Sequence, residues 1–313
     1  MLTKFSLEKI IPIPNCLCFT IHQLTNGKIL AGLMDQKSFK GFINVYDSSY
    51  NLEKQLTNHK NGVICIDQLK SGEIITCSDD ATIQILDLNS YEIIQCLNCL
   101  NDSKGISKVI ELKNSNIVSS DWNHILFWKK DLATNQYQLL KDLNIKKFTS
   151  SVMEFGDNKL LAVHANTKEM SIYNLENYEK LKEFSDISLT RAFYHIEKVS
   201  NDVIFVGGMG FIYLVSASKL EIIKKFLCEN GFGLVSSVTK LKDNTLLSSI
   251  NSYANGNHVH LIKFKIINDG NDVEIVERKD NIHQNFIFTL VECQDGKIWM
   301  SNILSGLEIY KSG

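Results

Sequence analysis

The sequence predicts an all-β chain made of seven repeated units, each with four antiparallel strands. A polar turn that leads into an apolar strand recurs seven times, and an amphipathic strand near the end of the unit recurs with it. The recurrent turns begin at residues 26, 71, 114, 157, 201, 243 and 295. A period of roughly 43 residues with short strands is typical of a β-propeller in which each unit supplies one blade.

The second unit shows the four strands most clearly. Its first strand is predicted at 62–69 (GVICIDQL) and its second at 73–78 (EIITCS), after the polar turn. The third follows at 82–88 (TIQILDL) and the fourth at 91–97 (YEIIQCL). Short apolar runs separated by Gly, Asp, Asn and Ser are the pattern of consecutive antiparallel strands.

The fourth strand is present in six units and is missing from the seventh, which stops at Gly313 after its third strand. A matching segment, FSLEKII, stands at 5–11, before any first strand has begun. We therefore expect a seven-bladed β-propeller whose last blade is completed by the N-terminal strand. Such pairing closes the ring and removes two exposed sheet edges. The other copies of this strand begin at residues 51, 91, 137, 178, 220 and 273.

The repeat predicts a single domain over residues 1–313. All-β closed folds of this length are common as one domain. The predicted blades cover residues 16–57, 58–101, 102–144, 145–187, 188–230, 231–280 and 281–313, the last with a closing strand at 4–11.

Composition argues against several classes of partner. The chain has 33 Lys and Arg against 35 Asp and Glu, and only Arg191 and Arg278 are arginines. A nearly neutral chain with few arginines lacks the basic footprint of a nucleic-acid-binding protein. No apolar run approaches the ~18 residues of a membrane span, and no signal peptide is evident. We expect a cytoplasmic protein with reduced cysteines, no nucleic acid and no membrane contact.

The segment 59–88 resembles a WD repeat. His59 precedes the first strand, Ser78 ends the second, and Asp79 and Asp80 stand in the following turn, while Leu86 occupies the place of the family's Trp. The resemblance to the WD-repeat propeller family extends over nearly the whole chain with degenerate motifs. It implies a seven-bladed fold that serves protein interaction.

The third unit carries a different part of the same motif. It has Ser120, Asp121 and the expected Trp128, but Lys129 replaces the closing Asp. In the family, a His, a Ser, a turn Asp and the Trp form a buried hydrogen-bond network within a blade. The resemblance therefore implies a partial, structural network that performs no chemistry in the second and third units.

Three motifs have some of the residues that a metal-binding or phosphate-binding site requires. Cys96 and Cys99 have the spacing of half a zinc site, but a structural zinc needs four ligands and no second pair follows. The glycines of 207–210 precede a strand and lack the helix that a phosphate-binding loop requires. His258 and His260 share one strand face, which leaves a propeller-type hydrolase or lyase with a channel metal as the alternative function.

We expect a partner-binding face on the side that carries the turns between second and third strands and the starts of first strands. Large apolar or cationic residues on fixed loops are favoured at interaction hot spots. For the Phe residues, plugging the channel or packing between blades is the alternative. The residues predicted for this face are Trp122, Arg191, Met209, Phe148, Phe232 and Phe286.

The predicted function is a non-catalytic scaffold or substrate-recruiting adaptor. We expect a monomeric propeller within a hetero-complex, with other proteins or peptides as partners and with no cofactor and no metal. Besides the hydrolase or lyase, a third possibility is a reader that grips a basic or phosphorylated peptide in the channel. The sequence does not select a particular partner.

Overall fold

A computed structural model describes residues 6–100, 102–167, 169–185, 193–216, 218–227, 233–252, 258–268, 272–283, 286–303 and 306–311. These residues form strands β1 to β28, which pair into seven sheets of four antiparallel strands. The prediction of an all-β chain with seven four-stranded units is confirmed. The chain groups into two compact units, residues 13–152 and residues 1–12 with 153–313.

Residues 13–152 contain three complete sheets, each with its strands in chain order. The first consists of β2 (Cys16–Gln23), β3 (Ile29–Asp35), β4 (Gly41–Tyr46) and β5 (Leu52–Leu56). The second consists of β6 (Val63–Gln68), β7 (Ile74–Ser78), β8 (Thr82–Leu86) and β9 (Ile93–Asn98). The third consists of β10 (Ile106–Glu111), β11 (Ile117–Asp121), β12 (His124–Lys130) and β13 (Tyr137–Asn144).

The next three sheets also follow chain order. The fourth consists of β14 (Thr149–Phe155), β15 (Lys159–His164), β16 (Glu169–Asn174) and β17 (Lys180–Ser185). The fifth consists of β18 (Phe193–Lys198), β19 (Val203–Gly208), β20 (Phe211–Ser216) and β21 (Glu221–Leu227). The sixth consists of β22 (Gly233–Lys240), β23 (Leu246–Ser252), β24 (His258–Ile267) and β25 (Asp272–His283), so β25 continues past the predicted blade boundary at residue 280.

The seventh sheet combines the two ends of the chain. It consists of β26 (Ile287–Glu292), β27 (Lys297–Asn302), β28 (Gly306–Lys311) and β1 (Ser6–Ile11). β1 pairs antiparallel with β28, with Leu7 opposite Tyr310 and Ile10 opposite Glu308. An ion pair of 2.9 Å joins the Lys297 ammonium to the Glu8 carboxylate. The predicted completion of the last sheet by the N-terminal strand is confirmed.

Burial is highest in the two middle strands of each sheet and lowest in the fourth strand. Every residue of β7 and β11 is buried, whereas β5 and β17 are exposed along most of their length. Strands that are covered on both faces have continuous apolar sequences, while strands that face water carry charged residues. This difference explains why the second strands read as unbroken apolar runs and the fourth strands as Lys- and Glu-rich segments.

The second strand of a sheet approaches the first strand of the next sheet very closely. A Cβ added to Gly32 would lie 2.6 Å from Thr20 Cγ2 and 2.9 Å from the Val63 carbonyl oxygen, and one added to Gly207 would lie 2.4 Å from Val235 Cγ1. The same place in the repeat is occupied by Gly32, Cys77, Ser120, Val163, Gly207, Ser249 and Ser301. Close packing leaves no room there for a long side chain.

A hydrogen bond also links neighbouring sheets at their turns. The backbone N–H of Thr25 donates to Gln68 Oε1 at 2.8 Å, and the N–H of Lys70 donates to Glu111 Oε2 at 2.7 Å. The N–H of Lys242 donates to a carboxylate of the following sheet in the same way, at 2.6 Å. The described part of the chain contains no helix with the length and hydropathy of a membrane-spanning segment.

The substitution Gly32→Ala tests the close approach of β3 to the next sheet. We expect a loss of about 1–3 kcal/mol in the free energy of unfolding, because the new methyl group meets backbone and a β-branched side chain. Ser120→Ala is the matched control, since its buried hydroxyl has no hydrogen-bond partner and should be lost at a cost below about 0.5 kcal/mol. Urea unfolding with equal effects for both variants would contradict the packing account.

Candidate functional site

His59 lies at the centre of a buried network in the second sheet. Its Nδ1 is 3.1 Å from Asp80 Oδ2, and its Nε2 is 2.8 Å from Thr76 Oγ1. The exposed fraction is 0% for the His59 side chain and 7% for the Asp80 side chain. The backbone N–H of Lys60 and the hydroxyl of Thr82 also donate to the Asp80 carboxylate, at 2.8 and 2.6 Å. Each polar group of this cluster therefore has a partner inside the sheet.

The partner of His59 on the second strand differs from the one that the WD resemblance implies. Ser78 donates its hydroxyl to the Asn61 carbonyl at 2.9 Å and accepts the N–H of Asp80 at 3.0 Å. The residue that contacts the imidazole is Thr76, two positions earlier on the same strand face. Of the two acidic candidates it is Asp80 that contacts His59, while Asp79 is exposed in the turn.

The third sheet requires a similar correction. The indole Nε1 of Trp128 donates to Ser119 Oγ at 3.0 Å, so Ser119 and not Ser120 is its partner. Ser120 Oγ is buried without a hydrogen bond. Asp121 is the last residue of β11, and its Oδ1 accepts the backbone N–H groups of Asn123 and His124 at 2.7 Å. These contacts hold the turn and leave no group poised for chemistry.

The electrostatics of Asp80 agree with a structural role. Burial raises the pKa of the Asp80 carboxyl, but the hydrogen bonds from His59 and Thr82 together lower the pKa by more than burial raises it. The net effect holds the pKa well below the usual range of aspartate. Asp80 is therefore ionised throughout the neutral range and serves as an acceptor for its neighbours.

Trp122 and Phe148 form a stacked aromatic pair at the surface of residues 13–152. Their ring centroids are 4.4 Å apart and the ring planes differ by 13°. The exposed fraction of Trp122 is 45%, whereas Phe148 is half-buried beside it. The sequence predicted both residues for the partner-binding face, and the structure brings these two together.

Backbone hydrogen bonds fix the two segments that carry the pair. Trp122 and Asn123 form the turn between β11 and β12, and Phe148 ends the connection from β13 to β14. The N–H groups of Ile145 and Lys146 both donate to the Asn123 carbonyl, at 2.8 and 2.9 Å. We refer to Trp122, Asn123 and the segment 145–148 as the Trp122 surface. Its loops are held by main-chain contacts, which makes it a preorganised surface.

His124 anchors the Trp122 surface from below. Its imidazole is almost fully buried, with Nδ1 2.8 Å from Asp142 Oδ1 and Nε2 3.1 Å from Asp102 Oδ2. Burial lowers the pKa of His124, but the hydrogen bonds to Asp142 and Asp102 raise it above its ordinary value. A protonated imidazole donates to both carboxylates and so ties β13 and the β9–β10 connection to the turn of Trp122.

The other residues predicted for the partner-binding face lie elsewhere in the chain. Met209 forms an isolated backbone bridge with Leu234 and is partly buried. Phe286 is partly buried just before β26. Arg191 and Phe232 lie outside the described residues.

The two histidines of the alternative metal site are on β24. Nδ1 of His260 is 2.7 Å from Asp280 Oδ1, which also accepts the guanidinium of Arg278 at 2.6 Å. Within the ranges that the structure describes, no group of three or more His, Cys, Asp or Glu side chains is placed to hold a metal ion. The described residues of this strand therefore do not provide the metal ligands that the hydrolase or lyase alternative requires.

A charged cluster on the first strands was not anticipated from the sequence. His22 Nδ1 lies 3.7 Å from Asp67 Oδ1, and the Lys108 ammonium lies close enough to Asp67 and Cys65 for their charges to raise its pKa. Asp67 was missed because it lies near the far end of its strand.

Comparison with known proteins identifies the fold. No family model and no curated protein matches the sequence. Among solved structures, the RRP9 WD40 repeats match with a TM-score of 0.78 and 11% identity, covering 98% of this chain and 99% of theirs. U3-55K matches with a TM-score of 0.78 and 11% identity, covering 97% of this chain and 98% of its own. The protein thus has the seven-bladed β-propeller fold seen in WD40-repeat structures.

His59→Ala tests the buried network of the second sheet. We expect a loss of about 1–3 kcal/mol at pH 7, because the substitution leaves the Asp80 carboxylate buried with fewer donors. Since the folded-state pKa of Asp80 lies below its unfolded value near 3.9, this stabilisation is present above that pH and is lost as the pH falls through the folded pKa. Urea unfolding at pH 7 and pH 3 should show a smaller difference between wild type and variant at pH 3.

Asp79→Asn is the matched control for that experiment. Asp79 is exposed beside Asp80, and its substitution should change the free energy of unfolding by less than about 0.5 kcal/mol. A variant of His59 as stable as this control would show that the network contributes nothing.

Asp142→Asn tests the anchoring of the Trp122 surface by His124. The folded-state pKa of His124 is raised, so its contribution is fully present below the unfolded value near 6.5 and is lost as the pH rises through the folded pKa. The free energy difference from wild type should therefore be larger at pH 6 than at pH 9. Asp131→Asn, which removes a charge but keeps an oxygen that accepts the N–H of Ala133, should cost the same at both pH values. An equal loss at both pH values for Asp142→Asn would refute the account.

Proposed function

We propose that this protein is a non-catalytic interaction platform that binds another protein through the Trp122 surface. The observation that supports this most strongly is the exposure of Trp122. Of the three tryptophans, Trp128 and Trp299 are buried with exposed fractions of 4% and 0%, whereas Trp122 is 45% exposed. Exposing a large aromatic side chain to water is unfavourable in free energy, and a partner that covers this side chain gains that free energy on binding.

The rest of the Trp122 surface supports recognition of a protein segment. The ring of Trp122 is fixed by stacking on Phe148, so little side-chain entropy is lost when a partner covers its outer face. Lys146 is exposed beside the pair and offers a charge at the rim. We therefore propose a partner segment that places an apolar or aromatic side chain on Trp122 and an acidic residue near Lys146.

Two further observations favour a protein partner. The net charge is -2, which provides no general attraction for nucleic acid. The structures with the same fold, RRP9 WD40 repeats and U3-55K, are WD40 propellers, a fold whose loops vary on a fixed scaffold. We also propose a reducing compartment such as the cytoplasm, since the seven cysteines described in the structure are free thiols.

Trp122→Ala tests the proposal against a matched variant. Leu132→Ala removes another exposed apolar side chain from the same sheet, in the β12–β13 turn, where the exposed fraction of Leu132 is 89%. A partner captured by wild type should be lost with Trp122→Ala and retained with Leu132→Ala, because a buried tryptophan anchor contributes at least about 2 kcal/mol to binding.

The captured partner is then purified and titrated with each variant. A rise in Kd of about 30-fold for Trp122→Ala, at an unchanged melting temperature, is expected from that loss of binding energy. A Kd within twofold of wild type for Trp122→Ala would place the binding site elsewhere on the protein.

A further inference from the structure

Cys65 and Cys77 are directly opposed on adjacent strands. They are register partners in the pairing of β6 with β7, next to an irregularity between Val63 and Cys65. Both are free thiols and both are buried. Directly opposed residues of antiparallel strands have Cα atoms about 4.5–5.5 Å apart, which lies within the range of about 4.4–6.8 Å seen across disulfides. The backbone therefore permits a bond between the two sulfur atoms.

Both thiols face the first strand of the next sheet. Cys65 Sγ lies 3.7 Å from the Val109 carbonyl oxygen, and Cys77 Sγ donates to the Ile106 carbonyl at 3.6 Å. Lys108, which lies between these two acceptors in the sequence, is partly buried and places its ammonium close to Cys65. The pair thus has a cation beside one sulfur and weak acceptors at both.

The two thiols differ in acidity. A hydrogen bond from Cys77 and the charge of Lys108 lower the pKa of Cys65 to about 6, although burial opposes this shift. Burial and the neighbouring Cys65 raise the pKa of Cys77. At neutral pH the pair therefore holds one thiolate and one thiol, which is the arrangement of an attacking and a resolving cysteine.

The charged groups around the pair preserve this difference. Asp67 and His22 interact with Lys108, and Asp67 partly opposes the effect of Lys108 on Cys65. Burial raises the pKa of Cys18, Cys99 and Cys293 to about 12. Burial also raises the pKa of Cys96. Cys65 is the cysteine with a lowered pKa among those described.

We propose that Cys65 and Cys77 are a redox-active dithiol that hydrogen peroxide converts to a cross-strand disulfide. The Cys65 thiolate attacks one peroxide oxygen, and the O–O bond breaks to release hydroxide, which takes up a proton to become water. The Cys77 thiol then attacks the Cys65 sulfenic acid, so that the S–S bond forms and a second water leaves. Two thiols are oxidised by two electrons and one peroxide is reduced; a dithiol reductant reverses the bond by exchange.

Oxidation would alter the contact between the second and third sheets. The Cys77 S–H is consumed, so the Ile106 carbonyl loses its hydrogen bond from the dithiol. The Lys108 ammonium loses its thiolate neighbour at the same time. The modification therefore acts on the packing between sheets that supports the fold.

Peptide mapping of the full chain tests the dithiol. The purified protein is treated with one equivalent of hydrogen peroxide at pH 7, alkylated with N-ethylmaleimide and cut by trypsin and a Glu-specific protease without reduction. Cys65 then lies in peptide 61–70, Cys77 in 74–92, and Cys96 with Cys99 in 93–104. The expected product joins the first two peptides by a disulfide and disappears on treatment with dithiothreitol.

Substitutions of Lys108 and Cys77 separate the dithiol from accidental oxidation. Lys108→Gln should slow disulfide formation at pH 7 severalfold, because loss of the charge raises the pKa of Cys65 and lowers the fraction of thiolate. Lys108→Arg keeps the charge and should retain the rate. Cys77→Ser should leave a Cys65 sulfenic acid that dimedone traps, which tests Cys65 even if Lys108→Gln folds poorly.

Two results would overturn the proposal. One is alkylation of Cys65 and Cys77 as intact thiols after peroxide has oxidised the exposed Cys96. The other is a failure of dimedone to label Cys65 in a folded Cys77→Ser protein. Neither result bears on partner binding at Trp122, so the two proposals can fail separately.

Discussion

The close contact between the second strand of one sheet and the first strand of the next is the constraint on which the rest of the structure depends. A single four-stranded sheet cannot bury its inner strands, and β7 and β11 are buried along their whole length. The approach is so close at Gly32 and Gly207 that a methyl group would meet Val63 or Val235. Backbone N–H groups in the turns also donate hydrogen bonds to side chains of the following sheet, and these bonds fix the orientation of the two sheets. The sheets joined by these contacts therefore depend on one another for both burial and hydrogen bonding.

The same constraint produces both proposed sites. At the repeat position where Gly32 packs in the first sheet, the second sheet has Cys77, a small residue whose thiol also meets Cys65 and the strand of Lys108. Sheets fixed in this way also fix their connecting loops. The turn of Trp122 can therefore hold a partly exposed aromatic ring in place through main-chain contacts and stacking on Phe148.

The sequence predicted the fold well because the repeat is local and periodic. The turn-to-strand pattern and the Lys- and Glu-rich fourth strands recur in the sequence, and the unpaired segment near residue 6 indicated the partner of β28. Side-chain partners were harder to predict, because a shift of one or two residues along a strand changes the face or the depth of a side chain. For this reason the partner of His59 is Thr76 and not Ser78, and the partner of Trp128 is Ser119 and not Ser120. The sequence predicted only that the cysteines are reduced, because the pairing of Cys65 with Cys77 depends on register at an irregular point of β6.

Hydrogen exchange of residues 6–11 tests most directly whether one of the seven repeated sheets is assembled from both ends of the chain. Peptides from β1 are compared with peptides from β28 in the intact protein under native conditions. The account predicts slow exchange in both, with similar protection, because the two strands share one hydrogen-bond ladder. Exchange of residues 6–11 within seconds, while β28 stays protected, would show that the N-terminal strand is not part of the last sheet and would contradict the account.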